Sequence, residues 1–210
     1  MEKWPHFGPF WCRIAVLSCT LITTMPNPLH RVPRALTLAI TIGIAASGQA
    51  QVKTWHNIGE IGGPILWVVG LGSSLVQDGS QGLEHSARTL DGMIVSGGLA
   101  ELIHFAVPER RPYGTTLDSF PSGHTTLSFA VAAAQSHYHP KQAPFWYAAA
   151  GLIGYARFAG HDHYLQDVLV GAGLGYAGGQ LSASSRHGWI VAPMVENRHV
   201  SLMLGFSKTL

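Results

Sequence analysis

The stretch Phe120-Pro121-Ser122-Gly123-His124-Thr125-Thr126 combines residue types that suit an anion. Pro121 cannot sit inside a helix, Gly123 lets the backbone approach a ligand, and the residues turn apolar from Thr125 on. The pattern predicts a helix whose first turn holds His124. The unpaired amides and positive dipole end of such a start attract phosphate, Ser122 adds a hydroxyl donor, and His124 adds a group that titrates near neutral pH. An ordinary capped helix start has the same appearance, so the other polar blocks decide between the two.

Before this stretch the chain reads His104-Phe105-Ala106-Val107-Pro108-Glu109-Arg110-Arg111-Pro112, and after it Ala156-Arg157-Phe158-Ala159-Gly160-His161-Asp162-His163-Tyr164-Leu165-Gln166-Asp167. Arg111 and Arg157 fall at expected helix ends beside histidines, and a planar guanidinium fork fits phosphate oxygens. The plainer reading of these arginines is a solvated flank. His163 and Asp167 are four apart, hence on one face if a helix has begun there. A carboxylate bonded to one imidazole nitrogen fixes the tautomer and leaves the other nitrogen as a nucleophile. With a second histidine and two arginines nearby, catalysis explains the set better than chance contacts do. Twelve histidines, among them His137, His139, His161 and His163, raise a metal hydrolase as a competitor. No helical His-Glu-x-x-His or comparable ligand spacing occurs, so no metal and no cofactor is expected.

Elements must hold these residues in place. Charged residues make up 11% of the 210 and glycine is abundant at 25, which points to a membrane or to tightly packed helices. A mean hydropathy of +0.19 leans toward the membrane without settling it. Five apolar segments, Ile61 to Gln77, Gly92 to Val107, His124 to His137, Phe145 to Phe158 and Val168 to Ser182, show neither strand alternation nor a repeat. They predict an all-α bundle of five to six helices. Each is a little short of the ~20 residues of a bilayer crossing, so tilted spans and buried helices of a soluble bundle both remain open. Trp67, Trp146, Tyr147 and Tyr155 read as core or interface aromatics. Gly171-x-Gly173-x-Gly175 reads as close helix packing, since no strand precedes it as a nucleotide loop would require. Trp189 to Val195 and Val200 to Phe206, about a turn at 196–199, predict a short C-terminal β-hairpin.

The expected organisation is an extension at 1–50, a helical bundle at 51–187 and a tail at 188–210. Four of the 13 Lys and Arg precede residue 51, leaving nine against ten Asp and Glu afterwards, so no basic stripe offers itself to nucleic acid. Cys12 and Cys19 both lie in the extension, which excludes a disulfide framework for the rest. From Met25 the chain shows a basic region (Arg31, Arg34), an apolar core from Ala35 to Ala46, then Ser47-Gly48-Gln49-Ala50, which predicts signal cleavage after Ala50. The alternative is an uncleaved first membrane helix. In either case, alternating the segments across a bilayer behind the basic flank puts all three polar blocks on the outer side.

The three blocks together resemble the signature of the phosphatidic acid phosphatase type 2 and vanadium haloperoxidase superfamily, which reads Lys-x6-Arg-Pro, then Pro-Ser-Gly-His, then Ser-Arg-x5-His-x3-Asp. Arg111-Pro112 ends the first block, Pro121 to His124 match the second, and Arg157, His163 and Asp167 keep the third's spacing, with Ala156 in place of its serine. The resemblance implies a helical bundle in which His163 attacks phosphorus to form a phosphohistidine, oriented by Asp167. It makes His124 the acid for the leaving oxygen and then the base for water. It also implies that Arg111, Arg157, Ser122 and the Gly123 amide hold the equatorial oxygens.

One position departs from the signature. The register puts His104 where the family has lysine, and Glu101, three residues earlier on the same helix face, could keep it protonated and phosphate-binding. Activity favouring acidic to neutral pH is therefore expected. The resulting expectation is a metal-independent phosphatase of the bacterial cell envelope, with its site on the periplasmic side of the inner membrane, acting on a lipid phosphate or diphosphate. The alternatives are a soluble periplasmic acid phosphatase of broad specificity and a weakened relative that binds anionic lipid. The oligomeric state is not legible.

Overall fold

The structure, a computed structural model, describes residues 34–185, 191–196 and 199–204, with side chains from 48 to 185. The stretch holding Cys12 and Cys19, and the expected start at Met25, lie outside the described residues. The chain separates into units Met1–Ala50 and Gln51–Leu210. Five helices follow one another: α1 Arg34–Gln77, α2 Gly82–Ala106, α3 Gly123–Tyr138, α4 Ala143–Ala159 and α5 Leu165–Ser184. The all-α bundle expected from the apolar runs is present. Strands β1 Val191–Glu196 and β2 His199–Leu204 pair antiparallel, Val191 opposite Leu204 and Glu196 opposite His199.

Two helices begin earlier than the apolar runs predict: α1 starts at Arg34 and runs on into the segment expected from Ile61, and α2 starts at Gly82 rather than Gly92. The first turns of α2 are polar, and so interrupt the apolar run, but Arg88, Thr89 and Asp91 are all buried. Thr89 Oγ1 accepts from Gln135 Nε2 of α3 at 3.1 Å, and Ser182 of α5 donates its hydroxyl to Asp91. Ser74 Oγ accepts from the same Gln135 Nε2 at 3.0 Å. Buried polar groups are tolerated where each finds such a partner. At the same end of the bundle the Asp78 carboxylate lies 2.7 Å from His85 Nδ1 and 3.2 Å from His139 Nε2.

The core is built from small residues around a few large ones: Leu66, Met93, Ala130, Val131, Ala132, Trp146, Ala150 and Ile153. Trp146 is thus a core aromatic as expected. α5 packs on α3 backbone to backbone. A β-carbon at Gly175 would fall 2.0 Å from the Thr126 carbonyl oxygen, and one at Gly179 2.4 Å from that of Ala130. Glycines four apart are stacked on one helix face, which explains why 171, 175 and 179 serve this contact. Gly173, on another face, meets nothing within 4 Å. Only part of the expected glycine run is therefore a packing face.

Among the described residues Gly48–Gln77 is the one helical stretch long and apolar enough to cross a bilayer. Gly175→Ala should lower stability by on the order of 3 kcal/mol, because the added carbon meets backbone that cannot swing aside. Gly173→Ala should be neutral or raise it by about 0.5–1 kcal/mol. Thermal unfolding of both variants in detergent checks the pair.

Candidate active site

Five segments converge at one end of the bundle: α1, α2, the loop after it, the start of α3 and the turn before α5. The helix start expected around His124 is there: Ser122 is the residue before α3, and Gly123 and His124 form its first turn. The Ser122 amide donates to the Asp167 carbonyl at 3.0 Å, tying the start of α3 to the first turn of α5. A cavity of about 320 Å3 opens here, lined by Trp67, Glu101, His104, Arg111, Asp118, Gly123, His124, Leu127 and His163. Trp67 packs against the core, as expected of a packing aromatic, and also stands in this wall, its Nε1 donating to Ser128 Oγ at 3.1 Å and its ring 5.4 Å from that of His124.

His163 lies before α5 rather than on it, because Asp167 caps the helix: its Oδ2 accepts from the Tyr164 amide at 2.9 Å. Asp167 Oδ2 is 3.7 Å from His163 Nδ1, and the direct bond at that nitrogen is to the backbone carbonyl of Ser119 at 2.7 Å. A carbonyl only accepts, so Nδ1 carries the hydrogen and Nε2 keeps its lone pair. Asp167 acts one step further back, accepting from Ser119 Oγ at 2.5 Å. Ser119, fully buried, is a site residue the sequence pattern did not single out; it lies between two of the blocks and belongs to neither.

The arginines differ from each other. Arg111 stands in the cavity wall, with Nε and Nη2 donating to Asp118 Oδ1 and Oδ2 at 3.0 and 2.9 Å. Burial alone would raise the Asp118 carboxyl, but the bonds from Thr116 and Arg111 outweigh it and hold it below its ordinary value. Arg157 and Ser122 are buried and are not part of the wall. Arg157 Nη1 donates to Glu60 of α1, while its Nε, also buried, has no hydrogen-bond partner. A buried donor without a partner is the kind of group that an anion satisfies.

His104 uses its ring as a strut. Nε2 donates to the Pro121 carbonyl at 2.7 Å, and Nδ1 is 3.6 Å from Glu101 Oε2. It lines the cavity while bracing the turn into α3. His124 is mostly buried, which pushes its proton affinity below that of an ordinary histidine, and Arg157, His163 and Arg111 push the same way while Glu60 opposes them. Burial likewise raises the Glu109 carboxyl, aided by Asp167 and partly offset by Gln166. Among the described residues no group of three or more His, Cys, Asp and Glu is arranged to hold a metal. One cavity thus presents an oriented imidazole, a second imidazole and an arginine.

Comparison with known proteins supplies the context. The family model of the PAP2 superfamily matches residues 93–190. Over 95 residues, 43% of this chain, the sequence is 35% identical to the Lipid A 1-phosphatase of Porphyromonas gingivalis. The chain spans about a fifth of that relative's length, 21%. The crystal structure of Aquifex aeolicus LpxE superposes with a TM-score of 0.50 at 22% identity, covering 65% of this chain and 86% of that one. A transmembrane PAP2 type phosphatidylglycerolphosphate phosphatase from Bacillus subtilis gives 0.41 at 22% identity, over 70% and 89% of the two chains. The likeness to the Aquifex structure is one of fold.

Ser119→Ala removes the hydroxyl but keeps the carbonyl. The buried Asp167 carboxylate should then cost about 1–3 kcal/mol of stability, read as a lower unfolding temperature. The His163 ring should keep its hydrogen on Nδ1, read from imidazole 15N shifts.

Proposed function

Because residues 93–190 of the chain belong to the PAP2 superfamily, we propose that it is a phosphatase that hydrolyses a phosphate monoester or diphosphate, with a lipid as the substrate class. The observation that carries the reading is the pairing of His163, oriented through Nδ1 by the Ser119 carbonyl, with His124 and Arg111 in one cavity. In the first step His163 Nε2 attacks phosphorus, the bond from phosphorus to the leaving oxygen breaks, and His124 gives that oxygen its proton. In the second, the now neutral His124 takes a proton from water, the oxygen attacks the phosphohistidine, and the P–N bond breaks. Arg111 and the Gly123 amide stand in the wall to hold equatorial oxygens, and Ser122 and the unpartnered Nε of Arg157 complete the donor set as the phosphate seats. His104 braces the Pro121 turn and, when protonated beside Glu101, adds cationic charge.

A lipid substrate is supported by the outer surface of the bundle. Phe105, next to His104, is 94% exposed, and Ile61, Ile65, Val68, Leu102, Leu152 and Leu169 are also exposed. Apolar residues in such number suit acyl chains rather than water. We place the cavity at the outer, periplasmic side of the bilayer, the side on which cleavage after Ala50 would leave residues 51–60 and the three polar blocks.

Purified protein should release phosphate from at least one member of a panel of lipid phosphate, isoprenyl diphosphate and small aryl phosphate, and His163→Ala should abolish it. A preference for the aryl phosphate would favour a broad-specificity acid phosphatase instead. The pH dependence follows from His124. As the acid of the first step it must be protonated, and its affinity for that proton is lowered by burial and by the surrounding cations. The alkaline limb of turnover should therefore fall about tenfold per unit above a midpoint no higher than the ordinary histidine value of about 6.5. A kcat profile flat to pH 9 would contradict the assignment.

A further inference from the structure

Glu60 lies on α1, outside residues 93–190, yet its carboxylate sits between two cationic groups of the site. One oxygen accepts from Arg157 Nη1, and the other is 3.8 Å from His124 Nε2. The helix is shaped for this approach. A β-carbon at Gly59 would fall 2.7 Å from Arg157 Cδ, and one at Gly63 3.0 Å from His124 Cδ2. Pro64, inside α1, also lacks the amide that would bond the Glu60 carbonyl four residues earlier.

We propose that Glu60 is a positioning residue of this site: it anchors the buried Arg157 guanidinium by one end and holds His124 in the protonated form that meets the leaving group. The proposal rests on the phosphatase reading given above. Arg157 is only 1% exposed, so its charge needs a fixed partner, and pinning Nη1 leaves the unpartnered Nε for a phosphate oxygen.

The charges around His124 argue for the second role. From α1 come Glu60 and His56, the latter bonded through Nδ1 to Asp162 at 2.8 Å. From α2 come Glu101 and His104, which face each other at 3.6 Å. The following loop brings Arg111, paired with Asp118 at 2.9 Å. Arg157 comes from α4, with Asp162 at 3.6 Å, and His163 from the turn before α5. Burial and the Arg157, His163 and Arg111 charges all disfavour a proton on His124, and Glu60 is the carboxylate that opposes them. The two carboxylates of the wall, Glu101 and Asp118, are turned to His104 and Arg111.

The test uses the full-length chain in detergent as wild type, Glu60→Gln and Glu60→Asp. The His124 imidazole is titrated by NMR, its signals identified by their loss in His124→Gln, and kcat and KM are followed against pH. Glu60→Gln should lower the His124 midpoint by on the order of one pH unit and carry the alkaline limb of kcat with it. KM should stay within about threefold, and Glu60→Asp should restore most of the shift. Should Glu60→Gln not fold, Glu60→Asp carries the comparison, with a smaller shift in the same direction. A His124 midpoint equal to wild type overturns the proposal. So does a variant with lower KM and higher kcat at every pH, the behaviour of a carboxylate that merely competes with phosphate for Arg157. Wild-type protein that releases no phosphate from any substrate would instead overturn the phosphatase reading, and the titration would still decide whether Glu60 controls His124.

Discussion

Gly175 of α5 lies so near α3 that any side chain there would enter the Thr126 carbonyl, and this backbone-to-backbone approach brings the first turns of the two helices within hydrogen-bonding distance. The Ser122 amide reaches the Asp167 carbonyl, and Asp167, by capping α5, holds the Ser119 hydroxyl. Ser119 in turn offers its carbonyl to His163. The orientation of one imidazole therefore descends from a face of α5 without side chains through one backbone bond, one bond between side chains and one to a backbone carbonyl. Rigid support of this kind is what a reacting group requires, since a small misplacement costs rate steeply.

Charge is arranged on that frame by pairing. Each arginine carries a carboxylate of its own, Asp118 on Arg111 and Glu60 on Arg157, and the second histidine sits where burial and the two guanidinium groups oppose its proton and one carboxylate favours it. Arg111 and Asp118 are partly exposed, so solvent softens their pairing, whereas Arg157 is sealed from water and its geometry is set by Glu60 and Asp162. The two arginines thus differ in kind: one is an adjustable group in the wall and the other a fixed donor behind it.

The helices could be read from the sequence because their apolar runs are long and free of alternation, and the candidate site because Arg111, Ser122, Gly123, His124, Arg157, His163 and Asp167 come in three spaced blocks. The first ten residues of α2 could not, because polar Arg88, Thr89 and Asp91 are buried against partners from other helices. The same reason hid Glu60 and Ser119: each acts through a contact made only when distant segments pack. The role of His104 was half legible. Its position marked it, but a bond to the Pro121 carbonyl is made to backbone, which leaves no trace in residue type.

The central claim is that His163 is the group that becomes phosphorylated. The most direct measurement is to quench turning-over enzyme in alkali, where a phosphohistidine survives, and to map the modified peptide by mass spectrometry. The account predicts a phosphoryl group on His163 in the wild type, accumulating further in His124→Ala on a substrate whose leaving group needs no proton. Phosphate released with no phosphoryl group on His163 in either protein, or one found on another residue, would contradict it.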